Sequence, residues 1–342
     1  MTRFSACAVS VLIAAGYPAA ASSQMGYPTT PYGHDSSWID PAPHRSYFVN
    51  VRGVNLNCID FRGSGPPILM IHGLGESPHI FDDLAMRLKD RYHIVAYARR
   101  GHGMSDSPIA PYDDQTLVQD VRELLSELRF PHAILIGWGM GGDEITSFAA
   151  KYPDKVDKLV YIDAGYDWSS PSFYKPFGKI LAVNTPGPTY TSLDSLRAWY
   201  QRAWVGNAPW TSGLEAFLRD VMQLDRMGRP HPAPSGQAYG ALTTTLSTWR
   251  REYKGVRAPA LAIYASSYFP TDRTDPVLAA QLRDFEENTM VPFRRSSIER
   301  IQRELKNVKV VEIPDRTHIS IGTQGVDSLA AIIDQFLSGS PP

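Results

Sequence analysis

From residue 47 onward the apolar positions change period repeatedly, and each change marks an element. Tyr47-Phe48-Val49-Asn50-Val51 and Leu56-Asn57-Cys58-Ile59-Asp60-Phe61 alternate with a period near two, as in a hairpin with one covered face. Gly63-Ser64-Gly65-Pro66-Pro67 reads as a turn. Ile68-Leu69-Met70-Ile71 is then a short unbroken apolar run, which suits a parallel strand covered on both faces. His93-Ile94-Val95-Ala96-Tyr97, Ala133-Ile134-Leu135-Ile136, Leu159-Val160-Tyr161-Ile162, Ala260-Leu261-Ala262-Ile263-Tyr264 and Val308-Lys309-Val310-Val311-Glu312-Ile313 extend the series. Between them the spacing turns helical: over 81–88, over 117–128 (apolar at Leu117, Val118, Val121, Leu124, Leu125 and Leu128), up to about Lys151, and over 326–337. Strands alternating with helices predict an α/β fold, a mostly parallel central sheet flanked by helices.

The alternation lapses between residues 165 and 255. Five of the seven tryptophans fall there, with many Tyr, Phe and Pro and short helical patches at 195–203 and 214–224. This pattern predicts a helical cap insertion between a first core half, 47–164, and a second, 256–342. Ahead of the core, Arg3, the apolar run 6–15 and Ala19-Ala20-Ala21 read as a signal peptide over 1–21. The run is shorter than the roughly 20 residues that cross a bilayer. The expectation is therefore a secreted or periplasmic protein with a flexible lead-in at 22–46 and no membrane role beyond export. Cys7 lies in the leader, leaving Cys58 alone and no internal disulfide in the mature chain. With 34 Lys and Arg against 35 Asp and Glu, and no basic block, the charge offers nothing to nucleic acid or an acidic surface.

Four motifs carry candidate chemistry. Ile71-His72-Gly73-Leu74-Gly75 follows one strand, and Arg99-Arg100-Gly101-His102-Gly103-Met104-Ser105-Asp106 follows the next. Gly137-Trp138-Gly139-Met140-Gly141-Gly142 joins a strand to a helix, and Thr317-His318 lies in a loop after the last strand. In this order they resemble the α/β-hydrolase fold superfamily, the serine esterases and lipases. The resemblance implies that His318 is the catalytic histidine. It also implies that the backbone N–H groups of Leu74 and Met140 form an oxyanion hole, with His72, Gly73 and Trp138 about the pocket. For the acid it leaves two positions, Asp163, which closes the strand after the third motif, and Asp272, in a longer loop after the 260–264 strand; Asp163 is preferred. His72 and His102 are expected to brace turns, and Arg100 and Asp106 to hold the R-G-x-G-x-S turn.

The sequence departs from that family at its most important position. The tip of G-x-S-x-G is Gly139, so the attacking hydroxyl is missing and a serine acyl-enzyme is excluded. Asp143 and Ser147 fall on the following helix, away from the tip. Trp138 is a second departure, since an indole offers only a donor. Three readings follow. One is an enzyme acting on a small-molecule ester or amide, with His318 and an aspartate as general base. Another is a non-catalytic binder of a small molecule, and a third is dinucleotide binding. The last rests on Gly137 to Gly142 fitting G-x-G-x-x-G and on Asp163 following 21 residues later. Two motif-bearing strands before this unit and the insertion after it argue against a dinucleotide. No cofactor is implied, and the histidines lack metal-ligand spacing.

Overall fold

The computed structural model describes residues 38–184, 192–224, 230–232 and 236–339; the leader and most of the lead-in lie outside the described residues. Among the described residues there are ten strands: β1 (Arg45–Val51), β2 (Val54–Arg62), β3 (Pro67–Ile71), β4 (His93–Tyr97), β5 (Ala133–Trp138), β6 (Val156–Ile162), β7 (Met222–Leu224), β8 (Pro230–Pro232), β9 (Ala260–Ala265) and β10 (Val308–Ile313). Eight form one sheet in the order β1-β2-β4-β3-β5-β6-β9-β10. The β1–β2 and β2–β4 pairs are antiparallel, and every pair from β4 onward is parallel. β7 and β8 form a separate antiparallel pair, so the helical patch expected at 214–224 ends early, at Val221.

The helices are α1 (Asp82–Leu88), α2 (Asp114–Glu127), α3 (Gly141–Lys151), α4 (Pro171–Asn184), α5 (Leu193–Tyr200), α6 (Ser212–Val221), α7 (Gly236–Thr248), α8 (Pro276–Phe285), α9 (Val291–Glu304) and α10 (Val326–Ser338). Side chains alternate across the central strands, so each strand supplies both layers. Leu69, Ile71 and Leu135 join a core with Leu117, Val121 and Leu124 of α2 and Ile145 and Phe148 of α3. Ile68, Met70, Ile134 and Ile136 face the other way, onto Leu84 of α1 and Leu329 and Ile333 of α10. Residues on both faces are fully buried, which is why these runs show no polar alternation. Between β6 and β9 the chain forms α4, α5, a π-helical turn, α6, the β7–β8 pair and α7. Among the described residues no helix is long and apolar enough to cross a membrane.

This order puts β5 between β3 and β6 and sets the C-terminal ends of β3, β4, β5, β6 and β9 side by side. All four sequence motifs lie beyond strand ends, at the crevice where such sheets hold their ligands.

Candidate active site

The chain passes from β5 into α3 through Gly139, whose φ of +51° lies in the left-handed region that side chains disfavour. The turn is tight because a Cβ on Gly141 would run into Ile71 O, and one on Gly142 into Ala164 O. Both glycines therefore serve the close approach of α3 to the ends of β3 and β6. A Cβ built on Gly139 would have ordinary neighbours: Gly73 Cα at 3.4 Å, His318 Nε2 at 3.4 Å and His318 Cε1 at 3.5 Å. The glycine tip, the His-Gly turn and the histidine thus meet at one point.

His318 is held on every side. Its backbone N–H donates to Tyr268 O (3.3 Å), and its carbonyl accepts from Trp138 Nε1 (3.1 Å). The Tyr268 ring stacks on the imidazole at 4.7 Å between centroids. Thr317 and Ser320 clamp the loop, each side chain accepting from the other's backbone N–H. Nδ1 donates to Asp163 Oδ2 across 2.6 Å.

Asp163 is fixed as firmly. It takes φ +45° at the end of β6, and its Oδ1 accepts from Tyr166 Oη (2.9 Å) and Ala265 N (3.1 Å). Asp272 is not brought to the histidine. It is exposed and accepts from Asn207 Nδ2, because residues 266–267, just past β9, turn back to bond Arg316 O instead. The three bonds to Asp163 also count against a ribose-binding role for that carboxylate.

Glu76 is the neighbour that sequence reasoning missed. Its carboxylate is buried, with Oε2 accepting from Gly73 N (2.7 Å) and Oε1 lying 3.6 Å from His318 Nε2. His318 therefore sits between two carboxylates. Burial alone would lower its pKa, but the bond to Asp163 and the carboxylate of Glu76 close to Nε2 outweigh that and lift it to about 9. At neutral pH the resting imidazole is an imidazolium.

The other motif residues are supports. His72 Nδ1 donates to Gly73 O (2.7 Å) and Nε2 accepts from Arg99 N (3.0 Å), while His102 Nε2 accepts from Gly75 N (3.0 Å). Burial, with Arg99 close by, keeps both rings well below the ordinary histidine pKa, and so neutral. Trp138 is fully buried, packed edge-on to Phe81 and to the His318 ring and against Gly322. Its one donor holds the His318 loop from behind. Asp106 Oδ2 accepts from Asn55 N, while Arg100 reaches past its own turn to Asp120 and Pro111 O. Asp143 pairs with Arg251, and Ser147 bonds Trp249, both away from the tip.

Arg99 ties the His-Gly turn to α3. Its guanidinium pairs with Glu144, fully buried, and donates to His72 O (2.6 Å) and Gly73 O (3.3 Å). Arg99→Met should strand Glu144 in the core and cost about 3–5 kcal/mol. Urea unfolding should show a clear fall in midpoint, and Arg99→Met with Glu144→Leu should regain part of it. A midpoint unchanged by the single substitution would mean the pair does not brace the turn.

A sequence model of the family described as "alpha/beta hydrolase fold" matches residues 66–323. The chain belongs to this family. Among curated proteins, 2-(acetamidomethylene)succinate hydrolase of Mesorhizobium japonicum is 38% identical over 115 residues, 34% of this chain and 41% of that protein. Fluoroacetate dehalogenase of a Burkholderia species is 33% identical over 120 residues, 34% of this chain and 39% of that protein. The matches thus span about two-fifths of these relatives. The crystal structure of E-2-(acetamidomethylene)succinate hydrolase superposes with a TM-score of 0.69 at 23% identity, covering 86% of this chain and 100% of that one. A membrane phospholipase A does so with a TM-score of 0.62 at 22% identity, covering 87% of each. Such likeness establishes the α/β-hydrolase architecture. The chemistry has to be argued from the residues.

Proposed function

We propose that this α/β-hydrolase cleaves a small-molecule ester or amide by general acid–base catalysis, with His318 and Asp163 as the working pair and water as the nucleophile. The observation that carries the reading is the position of His318 Nε2. It lies 3.4 Å from the Cβ point of Gly139, while Nδ1 is bonded to a buried carboxylate. Where a serine hydroxymethyl would stand, a water can be held against Nε2. Neutral His318 takes a proton from that water as its oxygen attacks the acyl carbon. The carbonyl oxygen gains charge and is received by the N–H groups of Leu74 and Met140, the latter at the start of α3. The imidazolium then gives its proton to the departing alcohol or amine, and Asp163 stabilises the imidazolium throughout. The leader at 1–21 would place the enzyme in the periplasm or outside the cell.

This scheme has a pH signature. The base form of His318 is the minor form below its pKa of about 9, so kcat/KM should rise through neutrality and level off only above pH 9. Glu76→Gln removes one of the carboxylates that raise the histidine, so the midpoint should move to lower pH. The test is a panel of short-chain nitrophenyl esters and anilides assayed from pH 6 to pH 10 with the natural chain and Glu76→Gln. A flat profile, or one unmoved by Glu76→Gln, contradicts the base assignment. Glu76 also favours an alternative, a non-catalytic binder, because its carboxylate already engages Gly73 N and faces Nε2. Ligand binding with no turnover at any pH would select that alternative.

A further inference from the structure

A second cluster of ionisable groups lies between the segment before β1 and the single turn Pro78–Phe81. Asp40 and His44 come from the first, and His79 and Asp82 from the turn and the start of α1. Because the donors come from two segments, no sequence spacing reveals them. His79 Nδ1 is 3.3 Å from Asp40 Oδ2 and 2.9 Å from Asp82 Oδ2, and His44 Nδ1 is 3.8 Å from Asp40 Oδ2. One donor atom from each of Asp40, His44 and His79 lies within 4.8 Å of the other two. Bonds of about 2.0–2.1 Å to a tetrahedral ion place its ligand atoms roughly 3.3 Å apart. The cluster is close to that size before any ion enters.

Two further observations point to a cation. Asp40 Oδ2 and Asp82 Oδ1 are buried oxygens that accept no hydrogen bond, and the Asp82 side chain is only 2% exposed. Unsatisfied carboxylate oxygens are costly in the interior and are ordinarily paired or metal-bound. An ion pair centred on His79 accounts for part of this, but not for the bare Asp82 oxygen. Nor does it account for the His44 ring, packed edge-on to His79 at 5.5 Å.

We propose that Asp40, His44 and His79, with Asp82 beside His79, form a binding site for a divalent transition-metal ion of the zinc type. His44 Nδ1 also lies 2.8 Å from Ala42 O. Coordination through this nitrogen replaces that contact, with the ring proton moving to Nε2. The ion would fasten the segment before β1, where Trp38 already lies under the Arg219 guanidinium at 5.0 Å, to the turn just past Glu76. The site is a structural clasp, independent of the hydrolytic reading above.

The experiment uses the mature chain without a polyhistidine tag, stripped with chelator and titrated with Zn²⁺, and with Co²⁺ as a spectroscopic probe. One equivalent should bind, Co²⁺ should give the visible bands of a low-symmetry nitrogen–oxygen site, and Zn²⁺ should raise the melting temperature. His44→Ala and His79→Ala should each weaken Zn²⁺ binding at least about 10-fold. His44 lies outside the core elements, so His44→Ala decides the matter if His79→Ala fails to fold. Absence of stoichiometric uptake, or uptake that His44→Ala leaves unchanged, overturns the proposal.

Discussion

Gly139→Ser is expected to give this chain a serine-esterase activity, raising short-chain nitrophenyl ester hydrolysis by about 10³-fold or more and making the protein reactive toward fluorophosphonate probes. The magnitude follows from the reverse experiment, since removing the nucleophile of a complete triad costs about 10⁶ in kcat. A frame that has drifted without a serine should regain only part of that. The geometry admits the change. A Cβ at residue 139 stands in ordinary contact with Gly73 and with both reactive-edge atoms of His318, and the hydroxyl beyond it falls within reach of Nε2. The cost is the backbone: at φ +51° a side chain is disfavoured by about 1–2 kcal/mol. For a chain of this size that lowers the melting temperature by a few degrees. Glu76 is the obstacle, because its Oε1 already faces Nε2. Gly139→Ser with Glu76→Gln should therefore exceed Gly139→Ser alone. If both folded variants stay inert to probe and ester, the placement of the oxyanion hole at Leu74 and Met140 is wrong.

The parts legible in the sequence were those that depend on local pattern. All eight strands of the main sheet show as apolar runs or alternations; the central ones do so because strands buried on both faces tolerate few polar residues. The turn at Gly139 shows because Gly141 and Gly142 beside it must be glycine for α3 to approach Ile71 O and Ala164 O. Four helices gave no clear signal: α4 carries Pro176 within it, α7 is rich in Thr and Gly, α8 begins at a proline, and α9 is strongly charged. The sequence preferred Asp163 to Asp272 but did not make the choice, since each follows a strand. It is decided by the path of the chain after β9, where residues 266–267 turn toward Arg316. Glu76 and the cluster around His79 were hidden for one reason. Each reads locally as a polar turn residue, while His318 for Glu76 and the Asp40–His44 segment for His79 lie far along the chain, so only the fold brings those charges together.

His318→Ala should lower any hydrolysis by the natural chain about 10²- to 10⁴-fold, the usual contribution of a positioned general base. This loss can be separated from a folding defect. The loop is anchored through the backbone of residue 318, by its N–H to Tyr268 O and its carbonyl to Trp138 Nε1, and an alanine keeps both bonds. What goes is the imidazole, and with it the partner of Asp163 Oδ2. A histidine raised from about 6.5 to about 9 on folding contributes about 3 kcal/mol. That contribution is complete below pH 6.5 and is lost as pH rises through 9. The stability deficit of His318→Ala should therefore be larger at pH 6 than at pH 10, whereas its activity deficit should be larger at pH 10, where the natural chain holds the most base form. Added imidazole should restore part of the activity, since the space beside Gly139 then accepts a free base, and should leave the melting temperature unchanged. A structural histidine would give the stability pattern alone, with no rescue. Activity that survives His318→Ala intact would move the chemistry away from this residue, and Glu76, already on the Gly73 N–H, would be the next base to test.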